Sequence, residues 1–418
     1  MSRPLAPAEI IDVQHYERHG YPHDAWRRLR RETPVAWCQT PGYPGFWAIT
    51  KHADVIALSK EPMRFQSAPI MAIFPREQYD PENFPFHHLL NMDPPEHRTY
   101  RALLASHFTP RAIEAKRARV EAVVSDCLAR LEGARAVEFV AELSSVVPIV
   151  VIAEMLGIPE ADRQRFFHWT NLIIAGTDPE YQQGESTTEA TERGMRELFA
   201  YFGGMVEERR RTPTDDLTSL LANAKLDGAP MAEWELMSYL ALVVVAGNET
   251  TRNAATGGLL ALLEHPDQLA RLRAQPELLR SAVEEMVRWT TPVNQFCRTP
   301  VRDLELRGVR IPAGEPVCLF YASANRDEEV FADPFAFRVD RRPNPHLGFG
   351  VGEHVCMGAH LARLELQALF GALLSRLDEV ALDGPVARQR SSFVGGIKRL
   401  PVRWRLRPGA RGAGRAVA

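Results

Sequence analysis

The sequence predicts a mainly α-helical protein with small β-sheets. Three observations carry that prediction. Long stretches with apolar residues at three- and four-residue spacing dominate the chain. Strand signals are few and short. Helical and strand patterns also fail to alternate in the regular order that a doubly wound sheet requires.

The elements follow in order. Segments 35–38 and 46–50, separated by Gly42 to Gly45, read as a hairpin. Residues 111–131 carry basic and apolar side chains at helical spacing, and 196–211 do the same before Thr212 and Pro213 end them. The longest helical pattern is 231–264, mostly apolar in its middle and followed by Pro266. Segments 277–289 and 357–377 are further helices. Segments 304–306 and 309–311 flank Arg307 and Gly308 as a second hairpin, and 393–405 reads as a late β segment. No linker, low-complexity block or internal repeat divides the chain. Residues 407–418 (RPGARGAGRAVA) have little to bury and read as a disordered tail.

Composition narrows the class. The 418 residues include 50 Lys+Arg and 53 Asp+Glu, a net charge of −3, with 45% hydrophobic and 25% charged residues. That is a soluble globular composition and excludes fibrous or disordered chains. Near-neutral balance argues against a dedicated nucleic-acid binder. The five cysteines are odd in number, and none forms a C-x-x-C pair. A disulfide scaffold is therefore disfavoured, and a reducing compartment fits. The longest apolar runs, 240–246 and 146–153, fall far short of the roughly 20 residues a membrane span needs. The N-terminus has no apolar core of signal-peptide length. The expectation is a cytoplasmic protein with no membrane anchor.

The most informative stretch is 346–358, H-L-G-F-G-V-G-E-H-V-C-M-G, which runs straight into the helical pattern A-H-L-A-R-L-E-L. Cys356 thus sits where a glycine-rich loop enters a helix. Free amides and the positive dipole end of a helix stabilise a thiolate. Gly350, Gly352 and Gly358 would let the backbone turn tightly and approach something large. Local chemistry leaves alternatives open. A phosphate loop is one, although Glu353 stands where G-x-G-x-x-G needs glycine. Zinc is another, but His354, Cys356 and His360 lack a fourth ligand at zinc spacing. A structural buried cysteine is the third.

Read as one motif, Phe349–Gly358 resembles the F-x-x-G-x-x-x-C-x-G haem-binding loop of cytochrome P450 enzymes. The resemblance implies haem b held between the long central helix and the helix after the cysteine. Cys356 would be the axial iron ligand, with Phe349 beside the sulfur and Gly350 and Gly358 shaping the loop. Glu285-Met-Val-Arg288 is similar to the family's E-x-x-R, whose spacing puts acid and base on one helix face. The downstream 337–341 segment resembles the family's meander. By that resemblance Arg341 completes a structural ion-pair network with Glu285 and Arg288.

Within residues 246–251, A-G-N-E-T-T, Gly247, Asn248, Thr250 and Thr251 are poor interior helix residues inside the most apolar helix. The Thr250 hydroxyl can bond back to the Ala246 carbonyl and bend the helix, and Glu249 is an acid in an apolar segment. A satisfied kink would explain the same residues. The resemblance instead implies an acid–alcohol pair, with Glu249 and Thr250 supplying protons for O2 activation and Ala246 and Gly247 beside the haem. Met92-Asp-Pro-Pro-Glu-His97 to Arg101 resembles the family's propionate-binding segment. His97, Arg101, Arg298 and His354 would hold the two haem carboxylates, although each could be a solvated surface group.

Segment 65–90 is long and rich in Pro and aromatics, and its apolar residues could form a lid over an apolar pocket or pack in the core, while segment 169–174 lies where the family lines its pocket. So do Leu242, Val245, Val293, Phe296, Phe393 and Val394. Ile73, Phe74 and Phe86 are apolar residues of the first segment that could roof it. Few charges occur there, so a lipophilic substrate is expected. The motifs look most like bacterial members that oxidise steroids, terpenoids or branched lipids, with polyketide or macrolide tailoring and fatty-acid hydroxylation as alternatives. The resemblance implies residues 1–406 as one catalytic domain of a monomer. NAD(P)H electrons would arrive through a separate ferredoxin and ferredoxin reductase, with neither nucleic acid nor membrane involved. A haem-thiolate sensor and a zinc-stabilised structural protein are the readings outside this enzyme class.

Overall fold

The computed structural model describes residues 5–76, 87–174, 178–182 and 184–408. Eight helices position the site: α1 Glu96–Ala105, α2 Arg117–Arg130, α3 Val146–Leu156, α4 Arg163–Ile174, α5 Thr187–Arg211, α6 Glu233–Glu264, α7 Leu279–Thr290 and α8 Ala359–Arg376. Five strands form the main sheet: β1 Val35–Cys38, β2 Phe46–Ile49, β3 Phe65–Gln66, β4 Gln295–Pro300 and β5 Val317–Phe320. Their spatial order is β1-β2-β5-β4-β3.

Helix α6 is the axis. It is mostly apolar and buried along most of its length, with the polar patch 248–253 at its centre, and it packs against α3, α4, α5, α7 and α8. Glu233 and Glu235 in its first turn complement the helix dipole. It stops at His265 because Pro266 opens the next helix. The largest apolar core surrounds it and extends to α2 and α8. The sheet alternates faces with a period of two. On β5, Val317 and Leu319 join one core while Cys318 and Phe320 join the other.

Several expected boundaries move. The 111–131 pattern splits into Pro110–Glu114 and α2. Helix α5 begins at Thr187, not 196, because Ser186 and Glu189 form a capping box. Helix α7 begins two residues late, after the 3-10 turn Pro276–Leu278. The late β segment is two strands, Ile397–Arg399 and Pro401–Leu406, and before them Val394 bridges to Val293. The expected tail lies almost wholly outside the described residues. Among the described residues, no helix is long and apolar enough to cross a membrane.

Candidate active site

The cysteine loop is closed by its own backbone. The Cys356 amide donates to the Phe349 carbonyl at 2.9 Å, Gly350 donates to Leu347 at 2.9 Å, and Val355 donates to Gly352 at 3.1 Å. Gly352 has φ +81°, and a Cβ there would stand 2.3 Å from the Ser59 carbonyl oxygen. Only glycine allows that approach. Cys356 is exposed by area and lines a cavity of about 500 Å³. Burial pushes the thiol pKa up, while the Gly358 amide, Arg101 and Arg363 pull it down. The Arg363 guanidinium lies 4.3 Å over the Phe349 ring.

Ala246, Gly247, Thr250 and Thr251 of α6 also line the cavity. The Thr250 hydroxyl donates to the Ala246 carbonyl at 3.1 Å, while the helix continues unbroken through this stretch. The back-bond is therefore made without the break a strong bend would need. A Cβ on Gly247 would meet Ile152 at 2.9 Å, so this glycine lets α3 approach α6.

Glu249 is not among the residues lining the cavity. It is fully buried and ion-paired to Arg252, whose Nη1 donates to Asn171 of α4 at 2.9 Å. Burial raises the Glu249 carboxyl above its ordinary value, against the pull of Arg252. Spacing on the helix hides this placement: Glu249 and Thr250 are neighbours in sequence, but adjacent helical residues face different directions.

His97, Arg101, Arg298 and His354 all line the same cavity. The His97 and His354 ring centroids lie 4.2 Å apart, tilted by 41°, and buried His97 has Nδ1 3.6 Å from the Glu353 carboxylate with neither ring nitrogen in a hydrogen bond. Burial lowers both imidazoles, His354 to about 2, and His354 Nε2 lies in a 3.0 Å hydrogen bond with the Ser67 hydroxyl. Arg101 also donates to the Val355 carbonyl at 2.7 Å, tying α1 to the cysteine loop. Among the described lining residues the only acid is Glu365. Four nitrogen-bearing side chains facing a cavity nearly free of acids fit a ligand with two carboxylates.

Glu285, Arg288 and Arg341 meet in one buried network. Arg288 grips Glu285 with two bonds of 2.7 and 2.8 Å, and Arg341 Nε reaches both carboxylate oxygens at 3.1 Å. Arg288 also donates to the Asn325 and Pro334 carbonyls at 2.9 Å. The three arrive from α7 and from the meander more than 50 residues later, so the network fastens one to the other.

Eight of the expected pocket residues line the cavity: Ile73, Phe74, Leu242, Val245, Val293, Phe296, Phe393 and Val394. Phe86 lies outside the described residues. From 169–174, Ile173 reaches the wall, whereas Trp169 packs on Phe166 and Tyr201 and donates to Glu197 at 2.7 Å. The sequence reading missed Glu365. It lines the cavity from α8, buried, with Oε1 unpartnered. Its signal was an acid among Leu361, Leu364 and Leu366.

A family model for cytochrome P450 matches residues 8–384. The chain is a cytochrome P450. This P450 is 41% identical over 96% of its length to a methyl-branched lipid omega-hydroxylase of Mycobacterium tuberculosis, covering 95% of that relative. It is 38% identical over 90% of its length to a steroid C26-monooxygenase of Mycolicibacterium smegmatis, covering 89% of that protein. A Mycobacterium marinum cytochrome P450 solved with pseudoionone superimposes with a TM-score of 0.90 at 36% identity, over 96% of this chain and 99% of the other. The protein is thus a haem-thiolate monooxygenase with the fold predicted from its sequence.

Proposed function

We propose that this P450 hydroxylates the end of a branched aliphatic chain, on a lipid or a steroid side chain, using O2 and electrons from a separate ferredoxin system. The observation that carries the reading is one cavity with a cysteine loop, an α6 hydroxyl and an apolar wall facing one another. The two relatives support the substrate class, because the omega carbon of a branched lipid and C26 of a steroid are both chain-terminal positions.

Haem b is the cofactor of this reading. Cys356 holds the iron, and His97, Arg101, Arg298 and His354 hold the propionates. When bound, the haem supplies the oxygen activation and the oxidation itself. The protein's own residues do the rest. Leu242, Val245, Val293 and Phe296 present apolar surface that holds the chain and excludes water. The Thr250 hydroxyl, with its proton donated to the Ala246 carbonyl, keeps its lone pairs to accept a hydrogen bond from a water in the cavity and hold that water in place. Glu249 can deliver a proton toward the cavity only after leaving its ion pair with Arg252, since in that pair it is the anion and faces away from Thr250. A groove at the start of α8 carries Arg117, Arg280, Arg342, His360 and Arg363 against two acids, Glu114 and Glu284, which pair with Arg117 and Arg363 and leave an excess of positive charge. That cationic surface supports docking of an acidic ferredoxin.

Two measurements test this. The reduced protein with carbon monoxide should show the thiolate Soret band, and Cys356→Ser should abolish it; a band that survives refutes Cys356 as the ligand. With surrogate ferredoxin, reductase and NADPH, a methyl-branched fatty acid or a cholestane-type steroid should yield the terminal alcohol. An intact band with neither substrate turned over refutes the substrate class alone.

A further inference from the structure

Gln295 is a fully buried amide at the start of β4, beside the apolar cavity wall. A leucine would fill such a place without desolvating a polar group. The amide is instead matched to one residue of the roof. Its Oε1 accepts the Ile73 backbone N–H at 3.2 Å, and its Nε2 donates to the Ile73 carbonyl at 3.4 Å. The Cys318 thiol donates to the same Oε1 at 3.2 Å, which fixes the amide's orientation. Two positions further, the Cys297 amide donates to the Met71 carbonyl at 2.6 Å. The side chain thus extends the hydrogen bonding of β4 onto residues 71–73, where no strand pairing exists.

The same stretch of chain is fastened on its other side. The Asn294 amide donates to the Phe393 carbonyl at 2.8 Å, and its side chain donates to the Ser392 carbonyl at 2.8 Å. Three rings meet across these ties: Phe74 stands edge-on to Phe393 at 5.1 Å, and Phe393 edge-on to Phe296 at 5.6 Å. All three line the cavity.

We infer that Gln295 is a positioning residue for regiochemistry: it holds Ile73 and Phe74 against Phe393 and Phe296, so that one narrow wall admits an aliphatic chain end first. The inference rests on the chain-terminal reading above and adds what enforces it. With the staple intact, the roof segment cannot swing outward to admit a chain lying sideways. Without it, the rings lose their fixed spacing and internal carbons reach the reacting position.

The test is Gln295→Met, which keeps the side chain's length and removes its paired bonds, together with Phe74→Ala, which removes a ring and keeps the staple. Hydrogen exchange by mass spectrometry on the haem-loaded protein should show the 71–74 amides opening about tenfold faster in Gln295→Met and unchanged in α6. A methyl-branched fatty acid should give one terminal alcohol with the wild type and mixed terminal and in-chain alcohols with both variants. Faster exchange with an unchanged product ratio would make Gln295 structural only, and unchanged exchange would overturn the staple. If the wild type turns over neither lipid, the function reading fails. The exchange arm and the Soret spin shift with slender against bulky ligands then still decide the inference: loss of the wild type's preference for slender ligands supports it, and retention overturns it. If Gln295→Met yields no haem-loaded protein, Phe74→Ala decides, and an unchanged product ratio overturns the ring wall.

Discussion

At Glu365, burial holds a carboxyl protonated where an exposed one would ionise. Its pKa is raised from 4.5 to about 8, mainly by desolvation, with the Thr251 hydroxyl pulling weakly the other way. The sign follows from linkage. Between those two values the folded protein binds the proton and the unfolded chain does not, so stability falls as pH rises from about 4.5 to about 8. The full difference amounts to a few kcal/mol, roughly. Glu365→Gln keeps the shape and removes the proton equilibrium. Its Tm should gain on the wild type steadily across that pH range, and parallel Tm–pH curves would contradict the buried neutral acid. Cys356 was legible residue by residue, because its motif is contiguous. Glu365 was not, because nothing in the eight intervening residues says that this face of α8 meets the cavity.

Elements are joined here by polar clusters as much as by apolar faces. The Glu285–Arg288–Arg341 network fastens α7 to the meander, entirely out of water. Burial opposes it, and the hydrogen bonds from Arg288 and the Arg338 amide, with the charges of Arg288 and Arg341, offset that cost and hold the Glu285 carboxyl below its ordinary value. Glu285→Ala leaves two buried guanidinium groups facing each other and should cost about 3–5 kcal/mol. A lowered Tm and a small yield of haem-loaded protein would report it; normal yield and Tm would show the network to be dispensable. The helix pattern of α6 was readable because its apolar stretches are long. The start of α5 was not, because its first turn is polar and depends on the Ser186–Glu189 capping box. The break between Pro110–Glu114 and α2 also escaped, since basic and apolar residues continue through it in the sequence.

At the scale of the whole molecule, the cavity wall is assembled from segments near residues 73, 173, 245, 295, 356 and 393. A ligand that fills it therefore ties distant parts of the chain together. A fitting lipid at one hundred times its Kd should stabilise the fold by about 2.7 kcal/mol and raise Tm by about 3 °C. Calorimetry with and without ligand checks this, and no shift at saturation of the Soret response would show that binding leaves the folded state's stability untouched. By itself the sequence determined the fold class, the family and the positions of Cys356, the E-x-x-R pair and the α6 patch. Those signals are local: periodicity within a helix, or spacing within one loop. Only the tertiary structure decided that Glu249 turns away from the cavity onto Arg252, that Trp169 packs in the core, and that Gln295 grips Ile73. Each of these depends on which face of one element meets another, a relation between residues far apart in sequence that no local pattern encodes.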